Sequence, residues 1–293
     1  MSSKPTVVIF GATGNQGGSV LRTLASSDDY HVRAVTRSKS SRSSQQLATE
    51  FPSVEWVEAN LDKPSTLPGA IAGAQIVFGV TQFFQPAILG AVDTNKDAEF
   101  EQGKRLIDAS IQEGVEFIVF STLPSTTKIS NGKITSVLHF EGKYKIQEYL
   151  LSQPVKSACI QLCAYYQNQL QGPRWDEDGE TVILGLPVDS NIKVPQVDVE
   201  RDTGPFVKYV IDNREEMQGK VLPVASGYYS QNEIAEAFTA ATGIKAKAYH
   251  FFSKYNMFEG LPDYVEINKR VPHEFVTPEA FWRATGFRGP AKE

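Results

Sequence analysis

The chain has 293 residues, 41% hydrophobic and 22% charged, which is the composition of a globular protein with room for one large or two modest domains. A formal net charge of −5 and the lack of any Lys/Arg-rich block argue against general nucleic-acid or membrane-surface binding. No apolar run approaches a membrane span, and VVIF after MSSKPT is too short for a secretory segment. The two cysteines, Cys159 and Cys163, lie in ACIQLCAYY, where they suit buried reduced thiols in the cytoplasm or nucleus.

Short apolar runs alternate with helical patterns through the first half of the chain. Residues 7–10 read as a strand, 19–26 as a helix, and 31–37, 54–61 and 75–81 as three further strands. A helix over 97–113 ends at Gly114, which suits a left-handed cap. A strand follows at 115–122, a helix at 140–152 and a strand at 157–162. This alternation predicts βαβ units and a doubly wound parallel sheet of the Rossmann kind, with strands covered on both faces.

After Cys163 the texture changes to Gly, Pro and aromatic residues. We expect residues 1–162 to form the parallel-sheet domain, joined by a returning strand and helix near 194–212. Residues 163–293 then form a smaller mixed α/β domain for substrate or partner. Two helices there are well marked: Ser230 with Glu233 makes a capping box stopped by Gly243, and Thr277 precedes Pro278 at a first helical position. The aromatic stretch AYHFFSKYNMF at 248–258 reads either as a core face or as a pocket or partner surface.

The first strand runs straight into Gly11-Ala12-Thr13-Gly14-Asn15-Gln16-Gly17. Gly11 permits the tight turn, Gly14 a close ligand approach, and Gly17 close packing of the next helix. The free N–H groups of that helix suit a pyrophosphate. Because the pattern follows an apolar strand and opens a helix, it predicts dinucleotide binding. At the end of the second strand, Arg37 and Ser38 stand where an NAD site would carry Asp or Glu. Arg37 can pair with a 2′-phosphate, so NADP+ or NADPH is expected over NAD. Asn60 and Leu61 end the third strand and Thr81, Gln82 and Phe83 follow the fourth, where such folds place their ligands. The pair Phe83 and Phe84 can also be core.

The segments GATGNQGGSV, VRAVTR, FSTLPS, HFEGKYKIQEYL and YYQNQL together resemble the NmrA-like family, atypical members of the short-chain dehydrogenase/reductase superfamily. The resemblance implies a dinucleotide-binding Rossmann domain beside a smaller one. It carries the pyrophosphate loop to Gly11–Gly17, the 2′-phosphate residue to Arg37, and the nicotinamide side to Lys143, Tyr165, Tyr166, Gln167 and Asn168. Some members are thought to be redox sensors that bind proteins such as transcription factors; others are suspected reductases in biosynthetic pathways.

Ordinary members of the superfamily use Tyr-x-x-x-Lys on one helical face. Here Lys143 fits the Lys place, and His139 stands where Tyr is expected. His139 or a tyrosine could supply the proton, and a desolvated lysine could serve alone. Ser121 and Thr122 at the fifth strand end are read as cofactor contacts, caps or a catalytic hydroxyl. No GxSxG and no metal-ligand spacing occurs. The missing Tyr favours an NADP(H)-binding sensor acting through protein partners, as monomer or homodimer. The alternative is an NADPH-dependent reductase of a small carbonyl, imine or quinone.

Overall fold

The computed structural model describes residues 4–91, 95–185, 189–248 and 261–291. Seven strands form one sheet: Thr6–Ile9 (β1), His31–Thr36 (β2), Glu55–Glu58 (β3), Ile76–Gly79 (β4), Phe117–Thr122 (β5), Lys156–Leu162 (β6) and Val221–Val224 (β7). Their order is β7-β6-β5-β4-β1-β2-β3, and every neighbouring pair is parallel. The chain lays β1, β2 and β3 outward in one direction. It then crosses back to place β4 on the other side of β1, so the strand order reverses between β1 and β4.

The helices are Asn15–Ala25 (α1), Arg42–Glu50 (α2), Ala98–Gln112 (α3), Leu138–Leu151 (α4), Thr203–Asp212 (α5), Gln231–Thr242 (α6) and Pro278–Thr285 (α7), with several shorter turns. The sheet divides the core. Val7 and Ile9 pack with Leu21 and Leu24 of α1 and Phe206 and Val210 of α5. Val8 and Phe10 pack in the other cluster, with Leu106 of α3 and Ile146 and Leu150 of α4. Successive strand residues point to opposite faces, and both faces are covered, so β4 and β5 are buried at every position. α5 lies directly on α1: the Gly204 N–H donates to Ser19 Oγ at 2.9 Å, and a Cβ at 204 would stand 2.3 Å from the Ser19 carbonyl oxygen.

Of the strand and helix expected near 194–212, the helix is α5, packed on α1, and the strand forms at Val194–Val197 but does not join this sheet. It pairs antiparallel with Gly227–Tyr229 and parallel with Ala164–Tyr165 in a three-stranded sheet of its own. The edge place beside β6 is taken by β7, whose Pro223 lacks an N–H and so suits a sheet edge. A further small sheet, Arg174–Trp175, Val182–Leu184 and Ala246–Ala248, packs with α6 and α7 around Phe238, Phe281 and Trp282. Both marked caps form. Ser230 and Glu233 make the reciprocal capping box, Thr277 accepts the Ala280 N–H, and Gly243 and Gly286 take φ of +74° and +64°. Of the aromatic stretch at 248–258, only Ala248 lies among the described residues. Among those residues no helix is long and apolar enough to cross a membrane, and no His/Cys/Asp/Glu group is arranged to hold a metal.

Candidate functional site

The carboxyl ends of β1, β4, β5 and β6 open onto a cleft of about 690 Å³, lined at one end by Gly11, Gly14, Asn15, Gln16 and Gly17. Gly11 has φ +70°, in the region that favours glycine. A Cβ at Gly17 would lie 2.2 Å from the Gly11 carbonyl oxygen, so only glycine lets α1 start directly on the turn. Gly14 differs. A Cβ there would meet its nearest neighbour, the Gly11 carbonyl oxygen, only at 3.4 Å, an ordinary contact. The chain itself does not demand glycine at 14; the space above it is free for a ligand. No side chain caps α1 and its first turn carries no acid, so its leading N–H groups are available to an anion.

At the β2 end, Arg37 NH1 donates to Gln85 Oε1 at 3.2 Å. Gln85 Nε2 donates to Gln102 Oε1 at 3.0 Å, and Gln102 Nε2 to Asp62 Oδ1 at 2.6 Å. Arg37, Asn60, Leu61 and Gln82 line a hollow of about 100 Å³ beside Gly11, so these four expected residues come together. Ser38 does not line it. Its N–H donates to Thr36 Oγ1 and its carbonyl accepts from Ser44 Oγ, so it is built into the turn before α2. Thr13 is exposed on the turn and lies outside both cavities.

At the other end stand Thr81, Phe83, Phe84, His139, Phe140, Lys143, Tyr165 and Asn168. Phe83 and Phe84 pack on the His139 ring at centroid distances of 5.7 and 5.2 Å, so the aromatic pair forms cleft wall rather than core. Tyr165 Oη accepts from Gln16 Nε2 at 2.7 Å, which ties the start of α1 to the end of β6. Burial pushes the Tyr165 phenol up to about 12, so it keeps its hydrogen. His139 is pushed below its ordinary value, first by burial and then by the Lys143 charge, and is neutral near pH 7. Lys143 is lowered by burial, against which the adjacent Glu99 carboxylate acts in the opposite direction.

The structure turns two expected residues away from the cleft. Tyr166 is fully buried against Phe281, and Gln167 donates to Asp198 Oδ1 at 2.8 Å. The cause is the 3₁₀ turn Tyr166–Leu170 with its three-residue repeat, which puts Tyr165 and Asn168 on one side and the residues between them on another. Thr122 donates to Gln147 Oε1 at 2.9 Å inside the core, so its hydroxyl serves packing. The sequence reading missed Glu99, Gln85 and Gln102. Gln85 and Gln102 line the hollow and Glu99 lies buried behind Lys143, placements that only the tertiary fold produces.

A parallel sheet with a glycine-turn cleft at the point where strand order reverses defines a Rossmann-type protein with its ligand site at the switch point. The NmrA-like family model matches residues 3–277, and the chain belongs to the NmrA-like family. It is 31% identical over 288 residues to the NmrA-like family domain-containing oxidoreductase cpsB of Aspergillus campestris, spanning 93% of this chain and 83% of that protein. It is 27% identical over 252 residues to the corresponding oxidoreductase notA' of Aspergillus versicolor, spanning 81% and 69%. The crystal structure of NmrA, a negative transcriptional regulator, in complex with NADP superposes with a TM-score of 0.73 at 21% identity, covering 92% of this chain and 80% of that one. An Escherichia coli NADPH-dependent quinone oxidoreductase superposes at 0.69 and 16% identity, covering 96% and 99%. These two likenesses show the fold.

Proposed function

We propose that the protein is an NADP(H)-dependent oxidoreductase that reduces a small, flat carbonyl, imine or quinone. The observation that carries this reading is the continuity of the cleft. It runs from the glycine turn past Lys143 to a wall of Phe83, Phe84, His139 and Phe140. The relatives described as oxidoreductases, aligned over most of both chains, support it.

The residues fit the cofactor. The α1 N-terminus and the open space above Gly14 suit a pyrophosphate, and the Arg37 guanidinium suits a 2′-phosphate. Bound NADPH supplies a hydride. The chain's own task is to orient the ribose, exclude water and provide a proton. Lys143 is placed to donate to a ribose hydroxyl or substrate oxygen. His139 is neutral near pH 7, so the mobile proton sits on Lys143 Nζ, with the Tyr165 phenol as a further donor. The aromatic wall takes a planar ring by stacking.

NADPH consumption against aldehydes, ketones, imines and quinones tests this. Turnover should appear with planar aromatic substrates and fall about 100-fold or more in Lys143→Met, while His139→Phe keeps most of it. A panel with no turnover at all contradicts the reading.

A second reading is favoured by one feature: His139 stands in place of Tyr and packs among the rings of Phe83, Phe84 and Phe140, so the usual acid is missing. On that reading the protein is a redox-state sensor in cytoplasm or nucleus. NADP+ and NADPH would bind with different affinities and alter a surface that meets a protein partner such as a transcription factor.

A further inference from the structure

Glu99 lies in the first turn of α3 and is 1% exposed. Its Oε1 is ion-paired with Lys143 Nζ from α4, whose side chain is 11% exposed. Every other lysine ion pair among the described residues holds its lysine at 25% exposure or more. This pair is therefore not surface electrostatics. Thr81 completes it: its hydroxyl donates to Glu99 Oε1 at 2.9 Å and accepts from Lys143 Nζ at 3.3 Å. Glu99 Oε2 is buried with no hydrogen-bond partner, and a Cβ on Gly142 would come within 3.0 Å of it. The carboxylate is thus packed against the backbone of α4, and the Lys143 ammonium is its charge compensation.

Two things follow for the cleft. The Thr81 hydrogen is committed to Glu99, so Thr81 offers a ligand only an acceptor. Lys143 gives one hydrogen to Glu99 and one to Thr81 and keeps a third for the cleft it lines. A buried ammonium without its carboxylate sheds its proton.

We infer that Glu99 is a positioning residue: through the buried ion pair it keeps Lys143 as an ammonium at the cleft wall and aims its remaining N–H at the ligand. The inference deepens the oxidoreductase reading and rests on it for the ligand contact of Lys143. Among the titratable groups, Glu99 from α3 is paired with Lys143 and His139 stands one turn earlier on α4, while Tyr165 and Cys163, just after β6, line the same cleft. His139 is held neutral near pH 7, Tyr165 is pushed up to about 12, and burial raises the Cys163 thiol well above its ordinary value. Glu99 is then the charge that governs Lys143.

The test follows the Lys143 side-chain resonance in lysine-labelled protein across pH, assigned by its loss in Lys143→Met, with no nucleotide present. NADPH affinity is then measured over the same pH range. In Glu99→Gln the Lys143 midpoint should fall by about one pH unit or more, a tenfold loss of proton affinity, and NADPH binding should weaken at a pH where wild type still binds. Glu99→Asp should restore much of both. An unmoved midpoint in Glu99→Gln overturns the inference. If that variant does not fold, Lys143→Met gives the reciprocal reading: Glu99 should then titrate above the usual carboxylate range, and an ordinary Glu99 overturns the inference. A midpoint that falls while NADPH affinity stays flat upholds the coupling and overturns instead the ligand contact assigned to Lys143.

Discussion

His139 and Lys143 sit one turn apart on α4 and both line the cleft, yet burial acts on them with different results. His139 has rings around it and no counter-charge; Lys143 has Glu99. The i,i+4 spacing was legible from sequence because it needs only a helix. Glu99 was not, because its partner is 44 positions away and it reads like any acid in a first helical turn. The same burial fixes a pH dependence. With His139 held below its ordinary 6.5, the unfolded chain takes up the proton first as pH falls through that value. Stability is therefore lost on acidification from about 6.5 down to the lowered folded value, and His139→Phe should reduce that acid-side loss in urea titrations run at several pH values. At Gly17 the constraint is steric. Gly17→Ala forces a Cβ onto the Gly11 carbonyl, so denaturation should show a loss of about 1–3 kcal/mol together with loss of nucleotide binding.

At the scale of elements, the helix ends were the most readable features, since a cap is a local device. Ser230, Glu233 and Gly243 make the same hydrogen bonds and the same positive φ that their spacing predicts. Ser230→Ala should cost about 1 kcal/mol in denaturant unfolding, and Ser230→Asp should cost little. Strand membership was less readable. VPQV at 194–197 and VLPV at 221–224 are alike as sequence, but only the second reaches the main sheet. Which short strand joins the edge is settled by pairing with β6, a partner about 60 positions away that local sequence does not show. Likewise the resemblance places Tyr165 to Asn168 together on the cofactor, whereas the 3₁₀ turn leaves Tyr165 and Asn168 at the cleft and turns Tyr166 and Gln167 away.

Over the whole molecule, a buried acid joins the start of α5 to the segment after β7 and to the segment before α7. Asp202, fully buried at the start of α5, accepts from Ser226 Oγ at 2.6 Å, from the Val276 N–H at 3.2 Å and is bonded to His273 Nε2 at 2.7 Å. Asp202→Ala would strand those donors, and a loss of about 2–4 kcal/mol is expected in urea unfolding. The Gln16 side chain holds the Tyr165 hydroxyl at the cleft, which Asn168 also lines. On the proposed reading, the cleft and the hollow beside it hold NADP(H), with Arg37 selecting the 2′-phosphate. Titration calorimetry of wild type and Arg37→Ala with NADPH and NADH tests it most directly. Wild type should bind NADPH at least about tenfold more tightly, about 1.4 kcal/mol, and Arg37→Ala should lose that preference while keeping its NADH affinity. No binding of either nucleotide, or a preference for NADPH that survives in Arg37→Ala, would contradict the account.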